Sequence, residues 1–166
     1  MKILSFLLLS LSILSASCTP ADPPAPSVAE ESPNAPAATP APAAAAAEDD
    51  VLEAVFRYQF EHNASAIQQG ADRYCLSLPG DKAPSEGFLG RFAENTPPVA
   101  AADQCDRTTG KDLFFQAKAI EWEGDSTAVV HGGYWEGNLS SSGETFRVVQ
   151  EDGRWVVKDA RLETMS

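Results

Sequence analysis

The sequence predicts an α+β domain in which one N-terminal helix packs on a curved antiparallel sheet of four to five strands. The residues from Lys111 to Ser166 form successive runs rich in β-branched and aromatic side chains, which is the composition of strands. The segment from Val51 to Phe60 carries its apolar side chains at helical spacing instead. A helix that precedes a run of strands, rather than alternating with them, is typical of the α+β class.

The strand-rich part predicts an antiparallel meander. Strands are expected over Thr127–Glu136, Glu144–Gln150 and Arg154–Leu162, with a fourth over Leu113–Trp122. The pair Asp152-Gly153 separates the last two strands, and Asp-Gly supplies the positive φ angles that a tight primed turn requires. A terminal β-hairpin is therefore expected.

The predicted helix begins at Asp49 and Asp50, because carboxylates suit the free N–H groups and the dipole of a helix start. It runs to about His62, which is expected as a surface residue near the helix end. Its apolar side comprises Leu52, Val55, Phe56, Gln59 and Phe60. This side is expected to cover one face of the sheet.

Three segments connect the helix to the meander. The sequence Asp72–Leu78 predicts a strand that ends at a Pro-Gly pair, and Pro84–Phe92 predicts a short helix capped by Ser85. The buried side of that helix is expected to be Phe88, Leu89 and Phe92. The pattern then disappears from Asn95 to Gly110, which predicts an irregular surface loop.

The first residues have the organisation of a secretory signal peptide. Lys2 precedes an apolar run from Ile3 to Leu14, which is too short for a stable transmembrane helix, and small residues follow up to Ser17. Cys18, placed directly after them, resembles the lipobox cysteine of bacterial lipoproteins. The resemblance implies cleavage after Ser17 and a diacylglyceryl anchor on Cys18. An ordinary secretory signal with a cysteine near its cleavage site is the alternative.

The residue after that cysteine is Thr19 rather than Asp. By the same resemblance, this implies a lipid anchor in the outer membrane or at the cell surface rather than retention in the inner membrane.

A Pro/Ala-rich segment follows the cysteine. Thr19 to Glu48 contain eight of the 12 prolines and no aromatic residue. Such a segment cannot bury enough apolar surface to offset its ordering entropy, which predicts a disordered tether. The expected organisation is a signal peptide at 1–17, the lipidated Cys18 with its tether at 18–48, and a single α+β domain at 49–166.

The charge of the chain excludes some partners. The formal net charge is −12. Nucleic-acid binding and electrostatic attraction to anionic lipid both depend on Lys and Arg, so neither is expected as a primary role. Contact with the membrane is expected through the lipid anchor.

Two cysteines remain once Cys18 is set aside. In an exported protein, Cys75 and Cys105 are expected to form a structural disulfide that pins the irregular loop to the strand Asp72–Leu78. A metal site is disfavoured, because there is no CxxC motif and there are only two histidines. No serine-hydrolase, zinc-protease, phosphate-loop or calcium-loop motif occurs, so no cofactor is expected.

The consecutive glycines Gly132 and Gly133 interrupt a predicted strand, which indicates a bulge, a sharp bend or the close approach of another group. A bent sheet with a concave face is the simplest explanation. Alternation places Val129, His131, Gly133 and Trp135 on one face, and Ala128, Val130, Gly132 and Tyr134 on the other. The weak candidates for a catalytic acid or base and its companions are His131, Tyr74, Tyr134, Asp72 and Glu136.

The long helix, the bent meander with Gly-Gly-Tyr-Trp, and the ending Asp152-Gly-Arg-Trp-Val-Val-Lys-Asp159 together resemble the cone-shaped domains of the nuclear-transport-factor-two-like and cystatin-like group. The resemblance spans about Asp50 to Leu162. It implies a cone-like fold, which hosts isomerases and dehydratases as well as many non-catalytic envelope proteins. Domains of this resemblance often pair through the exposed sheet face, which leaves a homodimer open.

The sequence favours a non-catalytic binding or interaction module of the cell envelope. Its partner would be an envelope protein or a small ligand. Two alternatives remain. One is an isomerase or dehydratase-like enzyme, with His131 as base and Tyr74 or Tyr134 as hydrogen-bond donor in the cone. The other is a periplasmic inhibitor or toxin-neutralising protein, which would bind a basic partner through acidic loops.

Overall fold

The computed structural model describes residues 42–63, 70–137 and 140–166. The predicted signal peptide, Cys18 and most of the predicted tether lie outside the described residues. In the described part of the chain, no helix is both long and apolar enough to cross a membrane. The elements are α1 Pro42–His62, β1 Arg73–Ser77, α2 Glu86–Gly90, β2 Val99–Ala101, β3 Asp112–Trp122, β4 Thr127–Gly137, β5 Ser140–Glu151 and β6 Arg154–Met165.

One mixed sheet organises the domain. Its strand order is β2-β1-β3-β4-β5-β6. The strands β2, β1 and β3 run parallel to one another, and β3 to β6 are antiparallel neighbours. The α+β class is confirmed, but the prediction of a four- to five-stranded antiparallel sheet is wrong. Parallel neighbours need a crossover connection, and the composition of β1 carries no information about the direction of its partners.

The strand that was missed is β2. It has only three residues, Val99–Ala101, and lies within the segment predicted as an irregular loop. Its residues Val99 and Ala100 pair with Tyr74 and Cys75 of β1. One valine and two alanines directly after two prolines carry no strand pattern, so this strand depends on its tertiary partner.

The helix α1 begins at Pro42, earlier than the predicted start at Asp49. The alanines of residues 43–47 extend it, because alanine is the best helix former. Asp50 therefore lies within the helix instead of in its first turn, and its carboxylate receives a hydrogen bond from Arg91 at 2.7 Å. The same Arg91 donates to Glu53 at 2.9 Å, which links the segment after α2 to α1.

The predicted face of α1 is confirmed. The side chains at its predicted apolar positions are all buried against the sheet: Leu52, Val55, Phe56, Gln59 and Phe60. Rings from β1, β3, α2 and the turn after α2 close the core. The ring centroid of Phe60 lies 5.0 Å from that of Phe115 in β3 and 5.7 Å from that of Phe92 in the turn. The cap of α2 is also as predicted, since Ser85 Oγ accepts a hydrogen bond from the Phe88 N–H at 3.1 Å.

The terminal hairpin forms as predicted. Asp152 and Gly153 have φ angles of 51° and 76°, which are the positive values of a primed turn. Earlier in the meander, β4 pairs with β5 in one unbroken register from Thr127 to Trp135. A bulge lies on β3, between Ala117 and Ala119, opposite Gly132. Further register shifts occur near the end of β4 and between β5 and β6. The paired glycines of β4 therefore mark a close approach of backbones, since a Cβ on Gly132 or Gly133 would overlap a carbonyl group of a neighbouring strand.

Candidate functional site

Aromatic side chains lie on both faces of the sheet. Along β3, Phe115 points into the core under α1, whereas Phe114 points to the opposite face, here called the outer face. Trp135 of β4 is the register partner of Phe114, and the two ring centroids are 5.5 Å apart at an angle of 72°. Although Phe114 faces away from α1, only 4% of its surface is exposed. Something other than the helix must therefore cover it.

Arg107 provides part of that cover. Its Cζ atom lies 4.2 Å from the ring centroid of Phe114 and 4.8 Å from that of Trp135. A guanidinium within about 6 Å of an aromatic face is attracted by the ring quadrupole. Among the described residues, no carboxylate forms an ion pair with Arg107. Its charge is held against two rings and remains available to an external anion.

The loop that carries Arg107 is fixed at its start by a disulfide. Cys75 of β1 and Cys105 are bonded to each other, which confirms the pairing predicted from the sequence. Cys75 is fully buried, so the bond ties the loop directly to the centre of the sheet. The loop between β2 and β3 is therefore held at the outer face only two residues before Arg107.

A local turn orients the next residues of the loop. The carboxylate of Asp106 accepts hydrogen bonds from the backbone N–H of Thr108 at 2.8 Å and from its hydroxyl at 2.6 Å. Both bonds lower the pKa of Asp106, and the bond from the Thr108 hydroxyl has the larger effect. Oδ1 of Asp106 accepts both bonds from Thr108, and no ion pair joins Asp106 to Arg107 in the described part of the chain. The turn thus fixes the loop and leaves the guanidinium unpaired.

Asp112 anchors the end of the loop. Its two oxygens accept hydrogen bonds from Arg73 at 3.2 and 2.7 Å, and Oδ2 also accepts the Asp106 N–H at 2.8 Å. Burial, the largest single influence, acts to raise the pKa of Asp112. The bonds from Arg73 and Asp106 and the positive charge of Arg73 outweigh burial, so the pKa is lowered. The carboxylate therefore stays ionised and keeps the loop closed over the sheet.

A cavity of about 210 Å³ lies between this loop and the outer face. We call it the Arg107 pocket and define it by its lining residues Ser77, Ala102, Arg107, Phe114, Phe115, Gln116 and Trp135. Drug-sized ligands occupy pockets of about 300 to 1,000 Å³, so this one fits a smaller molecule or a single side chain. Two aromatic walls, one unpaired cation and the polar groups of Ser77 and Gln116 give it the character of a small anion-binding site.

Asp112→Asn should destabilise the domain by about 2 kcal/mol at pH 7, because the charge-assisted bonds with Arg73 and Asp106 are weakened. The pKa of Asp112 is lower in the folded state, so its contribution is complete above the ordinary carboxyl pKa of about 4 and is lost as the pH falls below that value. Urea denaturation of the parent and of Asp112→Asn at pH 7 and pH 3 measures the difference in their free energies of unfolding. This difference should be smaller at pH 3.

Asp72→Asn is the matched control. Its ion pair with Lys111 joins two side chains that are 61% and 65% exposed, respectively. Exposed ion pairs contribute about 0 to 1 kcal/mol to stability. The free energy of unfolding of Asp72→Asn should therefore stay close to that of the parent. Equal losses in the two variants would contradict the role given to Asp112.

The inner face of the sheet holds a much smaller cavity. It measures about 20 Å³ and lies at the end of α1, lined by Tyr58, Gln59, His62, Asn63, Phe115, Tyr134 and Glu144. A volume of this size accommodates about one water molecule. Gln59 is 4% exposed, and neither polar atom of its amide has a hydrogen-bond partner among the described residues. The helix-covered face therefore offers polar groups but little room.

The structure separates the residues proposed for catalysis. The predicted alternation along β4 is confirmed, so His131 lies on the outer face, where Nδ1 is 3.0 Å from Thr145 Oγ1 and Nε2 is 3.6 Å from Glu121. Tyr134 lies on the inner face at the small cavity. Tyr74 is 5% exposed and packs between Phe60 and Phe115. The structure does not bring the three side chains together.

The remaining candidates are also distributed. Glu136 is buried and accepts a hydrogen bond from Ser140 Oγ at 2.7 Å, while Asp72 is exposed. Cys75, Cys105 and Asp112 bring one potential metal-ligand atom each within 4.8 Å of one another. The two sulfurs are bonded to each other, and both carboxylate oxygens already accept hydrogen bonds. This group is therefore a structural brace of the loop.

Sequence reasoning missed Arg107, because a single arginine in an irregular loop has no motif. The available signals were indirect: the loop carries a paired cysteine, and Phe114 and Trp135 stand at alternate positions that leave them on the outer face. A comparison with known proteins found no matching family model, no matching curated protein and no matching solved structure.

Proposed function

We propose that the chain is an exported, lipid-anchored envelope protein whose α+β domain binds an anionic group of a ligand or partner in the Arg107 pocket, without catalysis. The observation that carries the proposal is the unpaired Arg107 guanidinium, held over Phe114 and Trp135 beside a cavity of about 210 Å³. The disulfide and Asp112 fix the loop at both ends, so the charge is positioned before any ligand arrives. Such preorganisation reduces the entropy cost of binding.

The chemistry of the pocket supports binding rather than catalysis. Among the described residues that line it, Arg107 is the one with an ionisable side chain. A guanidinium stays protonated throughout the physiological range, so it attracts anions but is a poor general acid or base. The aromatic and amide side chains around it can contact a ligand but cannot move a proton at neutral pH.

The proposed anchor rests on the resemblance of the segment before Cys18 to a lipobox. With cleavage after Ser17, acylated Cys18 would become the N-terminus and residues 18–41 would connect it to α1. We place the domain in the cone-shaped nuclear-transport-factor-two-like group. This placement is supported by a long helix packed on one sheet face and by the bulge within β3, since bulges increase sheet twist.

Intact mass of the protein purified from its native membrane tests the anchor. We expect a chain that starts at Cys18 and carries the added mass of the lipid. We also expect a gain of about two hydrogens on reduction, because the disulfide found here opens. The Cys18→Ser variant should lose the lipid and leave the membrane fraction. A wild-type chain that starts elsewhere and carries no lipid would contradict the anchor.

Photo-crosslinking in the native envelope tests the binding site. A photoreactive residue in place of Gln116, which lines the pocket, should give a covalent adduct whose mass identifies the bound molecule. The adduct should be lost when Arg107→Gln is added. The same photoreactive residue in place of Arg147, on the exposed outer face of β5, is the matched control and should not give this adduct. An adduct that persists without Arg107 would contradict the proposed site.

A further inference from the structure

We propose that the ligand group of the Arg107 pocket is a monoanionic carboxylate attached to a flat apolar ring. This inference rests on the proposed function and makes it specific. The pocket combines one guanidinium with two aromatic rings and two neutral polar side chains, Ser77 and Gln116. Each of these components restricts the chemistry of a ligand in a different way.

The charge of the pocket favours a monoanion. Arg107 is its single cation among the described lining residues, and the nearby Arg73 is already engaged by Asp112. The chain carries a formal net charge of −12, which opposes the approach of a dianion more strongly than that of a monoanion. A carboxylate and a phosphate can each pair with a guanidinium through two parallel hydrogen bonds. A phosphate monoester carries a charge of about −1.5 to −2 at pH 7, which one guanidinium does not balance, whereas it balances a carboxylate.

The walls of the pocket favour a flat apolar group. The Arg107 Cζ atom lies close to the ring centroids of both Phe114 and Trp135, at 4.2 and 4.8 Å. Among the described residues, no acceptor takes a hydrogen bond from the guanidinium N–H groups, so they can bind a carboxylate. Trp135 is half-buried, and the adjoining surface of Ala102 is apolar. A ring whose carboxylate contacts Arg107 can therefore pack against the indole in the offset or edge-on geometry that aromatic pairs prefer.

The size of the pocket limits the ligand to about one ring. A volume of about 210 Å³ is below the range of drug-sized sites. Gln116 and Ser77 can donate to or accept from one further polar substituent on that ring. The inferred class is thus a small aromatic or similarly planar carboxylate, free or as the end group of a larger molecule.

Titration of the full chain with benzoate tests this inference. The readouts are the NMR shifts of the Arg107 Nε–H and of the Trp135 indole N–H, the latter assigned with Trp135→Phe. We expect saturable binding at pH 7, with benzamide and acetate each at least about tenfold weaker, because benzamide lacks the charge and acetate lacks the ring. Arg107→Gln should lower the affinity for benzoate at least about tenfold. Arg107→Lys should weaken it severalfold, because lysine keeps the charge but loses the two-pronged geometry.

Arg154→Gln is the matched control. Arg154 is an exposed arginine at the start of β6 and does not line the Arg107 pocket, so its loss should leave benzoate affinity unchanged. If acetate or inorganic phosphate shifts Arg107 as effectively as benzoate, the inferred ligand class is overturned while the proposed anion site stands. If none of these anions shifts Arg107, both the ligand class and the proposed site are overturned.

Discussion

Gly132→Ala and Gly133→Ala should each destabilise the domain by about 3 kcal/mol or more, because neither position has room for a methyl group. A Cβ on Gly132 would overlap the backbone carbonyl oxygen of Gln116 in β3, and one on Gly133 would overlap that of Ser142 in β5. Gly133 also has a φ of 146°, which side-chain-bearing residues rarely adopt. A backbone clash cannot be relieved by a change of rotamer, so β4 would have to separate from its neighbours.

Urea denaturation measures both losses, and Gly137→Ala is the matched control in the same strand. Apart from its chain neighbours, no described residue has an atom within 4 Å of a Cβ built on Gly137. The stability of this variant should therefore stay within about 0.5 kcal/mol of that of the parent. Gly143→Ala offers a second comparison, since its nearest obstacle is the Thr164 side chain, with Oγ1 at 2.6 Å. Gly143→Ala should therefore also destabilise the domain, and adding Thr164→Ala should restore much of the lost stability. Equal losses in Gly132→Ala and Gly137→Ala would contradict the close approach of the backbones.

Removal of the disulfide should destabilise the domain by roughly 3 to 4 kcal/mol, which is the loop-entropy value for two cysteines 30 residues apart. Cys75→Ala/Cys105→Ala is the variant to measure, and Ala suits position 75 because Cys75 is fully buried. Both this variant and its parent should carry Cys18→Ser, so that neither has a free thiol. Denaturant midpoints compare the two proteins under identical conditions.

The same variant should also weaken benzoate binding severalfold, because the loop that positions Arg107 loses its connection to β1. Asp112 still holds the far end of the loop, so the loss should be smaller than that of Arg107→Gln. A double variant with unchanged stability and unchanged affinity would show that the disulfide neither stabilises the domain nor positions the pocket.

The elements that could be predicted from the sequence are those with a local signal. The face of α1 follows from apolar spacing, the cap at Ser85 from its side-chain oxygen, and the terminal hairpin from Asp152-Gly153. The Cys75–Cys105 pairing follows from counting, because only two cysteines remain besides Cys18 in a chain that is predicted to be exported. Each of these inferences needed only residues close in sequence or few in number.

The elements that could not be predicted depend on distant partners. The strand β2 exists because Val99–Ala101 lies beside β1, and the parallel direction of β1 is set by the return of the chain through α2. The extension of α1 to Pro42 agrees with the helix propensity of alanine, but the prolines of the preceding segment predict a disordered tether instead. The bent-sheet explanation of Gly132 and Gly133 missed the carbonyl groups of β3 and β5, which have no signature in β4 itself.

The candidate site was the least predictable part. His131, Tyr74 and Tyr134 are candidates because their side chains are reactive. The alternation along β4 separates His131 from Tyr134, but it says nothing about how deeply each side chain is buried. The Arg107 pocket instead depends on a loop folded back onto the outer face by Cys105 and Asp112. Only the three-dimensional arrangement shows that one arginine covers two rings and has no carboxylate partner among the described residues.

An experimental structure of the full chain with bound benzoate tests most directly whether the outer face is the binding face. We predict the carboxylate within about 3 Å of the Arg107 guanidinium nitrogens, on the side of the sheet opposite α1, with the ring against Trp135. Benzoate bound instead beside Gln59 and Tyr134 under the helix, or an Arg107 side chain directed away from Phe114 and Trp135, would contradict the proposed binding site.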